Sequence, residues 1–457
     1  MVLVTMISRW DTSVEAVEFP IRPPLPLDLA QMLGFGQLKH LANQVLLSIG
    51  LNIMIKKASV LQLKPGMFIH DMNCGWSEHP FLSKTLKIKS SKEIEKIVGV
   101  GIRELYIDTL KGLDIDDAPT DVEVNEEIEH RIIEMAQQAK PIAMTTSLHE
   151  ELGKSRKVHG EANKIVTNIM KDVRIGKQIE LEQVDPVVEQ LVASILRNKD
   201  AMLCLCRIKN KDQYTFLHSV SVGALLISFA RALNFDSDVL KSLGVGGMLH
   251  DIGKAKTPNH ILNKPGKLTE EEFVIIRQHV MHGHTILSAI KDIKQASIDV
   301  GAQHHERYDG SGYPHGLKGS EMSIYGQMAS IVDVYDAITA DRCYHKGIEP
   351  TAAVRKMFEW SEFHFNPELV QAFIRTIGIY PVGVLVMLES GMIGVVIAQC
   401  ERDMTRPLVR AIFDTKTSHF ITPKDIDLAK PLGHGGGDKI VSCESSAKWN
   451  IDPHKFM

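Results

Sequence analysis

The spacing of apolar residues divides this chain into stretches of different period. Residues 1–54 carry Pro20, Pro23, Pro24 and Pro26 and sustain no period, so they read as a poorly ordered extension. Met54 opens the regular region and offers an alternative start for translation. Over residues 55–110 the texture is β-α-β. Leu61, Leu63, Met67 and Ile69 alternate around Lys64-Pro65-Gly66, and Leu86 and Ile88 begin a second alternating run. Ser90 and Glu93 have capping-box spacing for a short helix that stops at Gly99 and Gly101. Leu105-Tyr106-Ile107 then reads as a buried strand. The pattern predicts a small α+β domain.

Residues 111–197 open with an acidic run (Asp114, Asp116, Asp117, Asp121, Glu123, Glu126, Glu127, Glu129), expected to be a solvated linker or helix face. From about Leu148 the period is helical, with Ala162, Ile165, Val166, Ile169, Met170 and Val173 on one stripe. Asp185-Pro186 predicts a helix start, Asp as N-cap and Pro at the first helical position, running to about Leu196. Helical periodicity continues through 198–378. Residues 379–430 change character: Tyr380 to Ala398 alternates across Glu389-Ser390-Gly391 like a hairpin, and Leu408, Ala411 and Phe413 add a strand. Gly433 to Gly437 begins a loose stretch, so 431–457 reads as a tail. The fold class is multidomain α+β, a mainly α-helical domain preceded by a small α+β domain and followed by a small β unit.

Composition narrows the partners. With 457 residues, 44% hydrophobic and 24% charged, the chain has room for several domains with ordinary soluble composition. A net charge of −4 argues against a duplex nucleic-acid groove but leaves a small phosphorylated ligand compatible. The six cysteines form no framework, and Cys204-x-Cys206 lacks the second pair a zinc site needs, so free thiols in a reducing cytoplasm are expected. Leu41 to Ile55 is broken by Asn43, Gln44, Gly50 and Asn52 and is shorter than the ~20 residues of a membrane helix. The start also lacks a signal-peptide pattern. A cytoplasmic protein without a membrane span is expected.

The chemistry gathers between residues 250 and 336. His250-Asp251 ends an apolar helix (Leu240, Leu243, Val245, Met248, Leu249), followed by Gly253 and Lys254. An adjacent His and Asp serve two metals only if the carboxylate bridges. Upstream, His218 lies on the amphipathic stretch Tyr214 to Leu233, where a satisfied core histidine is the commoner case. His279, His282 and His284 fall on one helical stretch, and their spacing does not choose among them. His304-His305-Glu306 precedes a loop, Tyr308 to Pro314, whose glycines let backbone N–H groups approach a ligand. Asp333 and Asp336 stand at i,i+3, facing one side of a helix, whether solvated or turned inward. Imidazoles with carboxylates suit iron, manganese or zinc. Two such ions close together are a standard device for hydrolysing phosphate esters.

Each element is weak alone, but their order, H…HDxGK…H…HHExxDGxGYP…D, resembles the HD-GYP subgroup of the HD-domain metallohydrolases over about residues 200–375, with Asp309-Gly310-Ser311-Gly312-Tyr313-Pro314 matching the defining loop without a gap. Residues 56–190 resemble a domain of uncharacterised role found upstream of HD-GYP domains, notably in Leu63-Lys64-Pro65-Gly66-Met67 and in Asp71 through Pro80. The resemblance implies an α-helical HD-type metallohydrolase domain, and hydrolysis in bacteria of cyclic dinucleotides, chiefly cyclic di-GMP, to a linear dinucleotide.

By the same resemblance, His218, His250, Asp251, His279, His304, His305 and Asp333 are the metal ligands, with Asp251 bridging. His279 is preferred because the family histidine stands four residues before a glycine, here Gly283. Asp251 and Lys254 are the catalytic residues, Lys254 holding a phosphate oxygen or the attacking solvent. Gly312, Tyr313, Pro314, Asp336, Arg342 and His345 stand near the nucleotide.

Two departures from the family bear on this. Where three-metal members carry a glutamate, this chain has Tyr214, so two divalent ions are expected, iron or manganese ahead of zinc. Where the family reads Arg-Pro-Tyr followed by Lys or Arg, this chain has Arg342-Cys343-Tyr344-His345, which brings in 3′,3′-cyclic GMP-AMP as a competing substrate. The alternative function is a receptor that binds the nucleotide with little turnover and signals through protein partners. A homodimer or signalling-protein partners would accompany either reading.

Overall fold

A computed structural model describes residues 55–74, 85–136, 144–207, 214–264, 266, 268–340, 347–400 and 402–457. Contacts divide the chain into Met1–Met54 and Ile55–Met457. The first unit, expected to be poorly ordered, lies outside the described residues. The second begins with β1 (Ile55–Ser59), β2 (Phe68–Asp71) and β3 (Leu86–Lys87), then α1 (Ser91–Gly99) and β4 (Glu104–Asp108). These strands form an antiparallel sheet in the order β1-β4-β2-β3. Ala58, Met67, Ile69, Leu105 and Ile107 bury one face against Ile97 of α1. Glu93 starts α1 by accepting the Ser90 amide at 3.3 Å, as the capping-box spacing predicts. Leu61 is a correction to the strand pattern. It lies in a 3₁₀ turn (Val60–Gln62) and is 91% exposed.

The later part of the acidic run, from Asp121, lies in α2 (Asp121–Ala136), which buries Ile128, Ile132 and Met135. The long helix α3 (Leu148–Arg174) starts where Ser147 Oγ accepts the Glu150 amide at 3.3 Å. Its predicted stripe is inward: Ala162, Val166, Ile169 and Val173 are all buried. In α4 (Asp185–Cys206) the cap is Val184 rather than Asp185, whose side chain makes no capping bond. That helix also runs past the expected end at Leu196. It kinks at Asn198 (φ −157°), whose Oδ1 accepts the amides of Asp200 and Ala201 and so restarts the helix. The restarted turns bury Cys204 and Cys206, neither of them in a disulfide.

Then follow α5 (Tyr214–Ala232), α6 (Ser237–Leu249), α7 (Asn259–Leu262), α8 (Glu270–Arg277), α9 (His279–Ser288), α10 (Gln295–Gln303), α11 (Ile324–Thr339), α12 (Pro350–Trp360) and α13 (Pro367–Ile377). α5 is buried on nearly every side because its described side chains are almost all apolar or small. Phe229 packs on Phe373 of α13 at 5.3 Å between ring centroids, and each such buried side chain stabilises by about 1.5–3 kcal/mol.

One hydrophobic core extends from Ile128 to Met404, so the boundary expected at residue 197 separates no cores. The apolar stripes of α3 and α4 join the same core as α5 and α6.

The C-terminal sheet has the order β8-β7-β6-β5-β9, with β5 (Leu385–Leu388), β6 (Met392–Ala398), β7 (Leu408–Asp414), β8 (His419–Asp427) and β9 (Ile440–Glu444). The hairpin turns at Glu389-Ser390-Gly391, where Gly391 has φ +88°. The expected tail at 431–457 is a further correction. Its residues 440–444 pair with β5, Val386 opposite Cys443, and Glu444 then accepts the Trp449 indole N–H at 2.7 Å. Five residues after a glycine run carry too little alternation to announce a strand, and the pairing partner makes it one. Among the described residues no helix is long and apolar enough to cross a membrane.

Candidate metal centre

Elements far apart in sequence bring seven imidazoles and carboxylates to one point. His218 sits in α5, His250 and Asp251 follow the last turn of α6, His279 opens α9, His304 and His305 follow α10, and Asp333 lies within α11. All are buried except His305, which is partly open. Asp251 stands between two groups. Its Oδ2 lies 3.4 Å from His250 Nε2 and 3.9 Å from His218 Nε2, and its Oδ1 lies 3.4 Å from His279 Nε2 and 3.9 Å from His304 Nε2. In the first group Asp333 Oδ1 is 3.0 Å from His218 Nε2 and 3.6 Å from His250 Nε2. In the second, donor atoms of His279, His304 and His305 all lie within 4.8 Å of one another.

Backbone geometry aims these rings. His250 Nδ1 donates to Gly247 O at 2.8 Å, His279 Nδ1 to Ile276 O at 2.6 Å and His304 Nδ1 to Gly301 O at 2.9 Å. Each acceptor is a carbonyl in the last turn of a helix, which lacks an intrahelical partner. The bond holds the hydrogen on Nδ1 and turns the Nε2 lone pair to the centre. His218 is held instead by a carboxylate, its Nδ1 lying 2.6 Å from Asp336 Oδ2. Asp336 is the residue expected beside the nucleotide. It is buried behind His218 and orients that ring. Asp336→Ala is expected to weaken manganese binding about 10–100-fold, the usual cost of losing a partner behind a ligand. Equilibrium dialysis measures this, and unchanged affinity would show that packing alone holds His218.

Electrostatics favour a bound cation. Burial, together with neighbouring positive charge, lowers His279 to about 4 and His304 to about 3, and it carries His305 well below its ordinary value. Near pH 7 these rings are neutral and present lone pairs to one another, with the Nε2 atoms of His279 and His304 only 3.3 Å apart. Burial works against charge on Asp251 and Asp333, yet both carboxyls stay well below the usual range. Lys254 and the imidazoles hold Asp251 there, and the nearby rings of His218 and His250 hold Asp333. His250 Nε2 and Asp251 Oδ1 are buried without a hydrogen-bond partner. The first faces Asp333 Oδ1 at 3.6 Å and the second faces the Nε2 atoms of His279 and His304, so each unsatisfied atom fits a metal ion in its own group.

Lys254 Nζ stands 2.5 Å from Asp251 Oδ2. The loop closes the other side. Tyr313 stacks on His305 at 4.7 Å, and Arg277 lies 4.6 Å from the centre of the same tyrosine ring. Glu306 fixes the loop by accepting the amides of His315 at 2.7 Å and Leu317 at 3.0 Å. Gly312 presses on backbone, since a Cβ there would fall 2.3 Å from Arg307 N, so packing explains that glycine. Pro314 lies in the same loop, half-buried.

His282 and His284 stay outside the cluster that takes in His279. Arg342 and His345, and the side chain of Tyr214, lie outside the described residues. Sequence reasoning assigned no role to Arg277 or Glu306. Arg277 signalled itself only by standing two residues before His279, whereas Glu306 is the glutamate of the HHExxDGxGYP pattern.

Residues 190–369 match the family model described as HD domain, and residues 55–184 match a domain of unknown function (DUF3391). The chain is 37% identical over 399 residues to "Cyclic di-GMP phosphodiesterase PA4108" of Pseudomonas aeruginosa, covering 87% of this chain and 94% of that protein. It is 37% identical to a "Cyclic di-GMP phosphodiesterase" of Thermotoga maritima over 36% of this chain and 45% of that one. It is 38% identical to "3′3′-cGAMP-specific phosphodiesterase 1" of Vibrio cholerae over 32% of this chain and 33% of that one.

Proposed function

The chain belongs to the HD-GYP family of metal-dependent cyclic-dinucleotide phosphodiesterases, and we propose that it hydrolyses cyclic di-GMP to the linear dinucleotide at a two-metal centre bridged by Asp251. The observation that carries the reading is Asp251 itself, one oxygen turned to each histidine group, with Oδ1 buried and unpartnered. Cyclic di-GMP is favoured over 3′,3′-cyclic GMP-AMP because the likeness to the Pseudomonas protein spans both the upstream and the helical domain, whereas the likeness to the cyclic GMP-AMP enzyme spans a third of the chain.

His218, His250 and Asp333 would hold one ion, and His279, His304 and His305 the other. Nitrogen and oxygen donors suit iron or manganese, and also zinc. When bound, such a pair of ions makes water nucleophilic near neutral pH and offsets charge at phosphorus. The chain's own residues do the rest. Asp251, kept ionised, holds the two halves in register. Lys254 carries its ammonium to the edge of the centre, where it neutralises charge that grows on a non-bridging phosphate oxygen. Tyr313, stacked on His305 with Arg277 over its ring, borders the centre where the nucleotide would lie. Water adds at phosphorus, the 3′ oxygen leaves as the hydroxyl, and the ring opens to a linear dinucleotide. A cytoplasmic location, and a homodimer or a signalling-protein partner, belong to the same proposal, since the substrate is an intracellular messenger.

The test is a product assay of anaerobically purified, metal-analysed protein with the two cyclic dinucleotides side by side. Linear dinucleotide forming faster from cyclic di-GMP is the expected result. Faster turnover of cyclic GMP-AMP overturns the substrate. Binding without turnover by metal-replete protein overturns hydrolysis and leaves the receptor reading.

A further inference from the structure

We propose that Arg103, in the upstream domain, is a positioning residue for the substrate-facing loop 308–314; this rests on the reading of that loop as the nucleotide's neighbour. The loop is shaped by Asp309, whose two oxygens do different jobs. Oδ1 accepts the Ser311 amide at 2.9 Å and the Ser311 hydroxyl at 2.6 Å, closing a tight turn within the loop. Oδ2 takes the Arg103 Nε–H at 3.0 Å across the domain boundary. Next to that bond the Gly101 backbone meets the Ser311 side chain. Gly101 lies so close that a Cβ on it would be 2.5 Å from Ser311 Cβ, and its φ of +81° suits glycine. Two residues after Ser311, Tyr313 lies on His305 and donates its amide to His305 O at 3.0 Å. The loop therefore runs from an upstream-domain arginine at one end to a histidine of the metal centre at the other.

Arg103 is itself fixed. Its carbonyl accepts the Val60 amide at 2.8 Å, and its guanidinium stands 5.6 Å over Phe363. The whole sheet is bolted to α12 by a buried network: Glu359 Oε1 accepts from Asn73 Nδ2 at 2.9 Å and from the Tyr106 hydroxyl at 2.7 Å, and Trp360 Nε1 donates to Asn73 Oδ1 at 2.9 Å. That network, rather than Arg103, holds the domains together. The Arg103 side chain is 52% exposed, and an ion pair with one such partner adds little to stability. Its effect falls on the shape of the loop, and a residue that orients a loop can be removed without unfolding the protein.

The experiment uses the full chain, with Arg103→Ala, Arg103→Gln, Asp309→Asn and the double variant Arg103→Ala/Asp309→Asn, all assayed with cyclic di-GMP. Arg103→Ala is expected to lower kcat/KM about tenfold, inside the range that small misplacements far from the chemistry produce. The loss should appear mainly in KM, because Tyr313 faces the nucleotide and not the reacting atoms, with metal content and Tm as in the wild type. The double variant should be no worse than Asp309→Asn alone, since both remove the same link. Wild-type KM in Arg103→Ala, or losses that multiply in the double variant, would overturn the proposal. Should Arg103→Ala not fold, Arg103→Gln decides by the same comparison.

Amide exchange at residues 308–314 gives a readout that needs no turnover. It should quicken in the Arg103 variants, and unchanged exchange overturns the proposal even if the wild type proves inactive on cyclic di-GMP. An inactive wild type with quickened exchange in the variants would instead overturn the substrate reading alone.

Discussion

Asp251→Asn should lower kcat by about 10³-fold or more and leave at most one tightly held metal ion per chain. The side chain keeps its size, so packing is preserved, but one oxygen that faces His279 and His304 or His218 and His250 becomes an amide nitrogen with no lone pair. Losing a partner behind a ligand costs 10–100-fold, so losing the residue that stands between both groups must cost more. The variant also removes the charge that Lys254 meets at 2.5 Å. Metal analysis and kcat on the same sample check it. Two ions retained with wild-type turnover would remove Asp251 from the bridging role.

Gly253→Ala is expected to damage the fold and the centre together. A Cβ at Gly253 would lie 1.9 Å from His279 O and 2.5 Å from Gly283 N, both backbone atoms of α9 that no rotamer change can move. The helix would have to back away, carrying His279 Nε2 from Asp251. Overpacking of this kind costs about 3 kcal/mol or more. Thermal unfolding with and without manganese measures both parts: a lower Tm, and a smaller rise in Tm when the metal is added, since metal stabilises only what it binds. An alanine variant that melts and responds to metal like the wild type would show that α9 has room the packing denies.

The glycine shows how the helical domain could be read from sequence and where that reading stopped. His250, Asp251, Gly253 and Lys254 are consecutive or nearly so, and a local cluster of ligand-type residues is visible without a fold. The helices carrying them were visible too, because their apolar stripes have the helical period over many turns. What failed was of two kinds. Short elements failed: Ile440–Glu444 has too few residues to show a period, and Leu61 alternates correctly yet lies in an exposed turn. The direction a side chain faces was the other thing out of reach. Asp336 sits one turn from Asp333 on the same side of α11, and spacing puts both toward the site; only the position of His218 reveals that one carboxylate faces the centre and the other supports a ring from behind.

Sequence by itself determined the kinds of donor, their order, and the amphipathic helices that bury them, because residue type and local period are written along the chain. Tertiary structure decided everything that needs two distant segments at once: that His279 stands beside His304 and His305, that Asp251 divides its oxygens between two histidine groups, that α3 and α4 share the helical core, and that Arg103 reaches Asp309. The physical reason is common to all four. Lone pairs and charges act over a few ångströms and in one direction, and only packing sets which residues come that close and how they face.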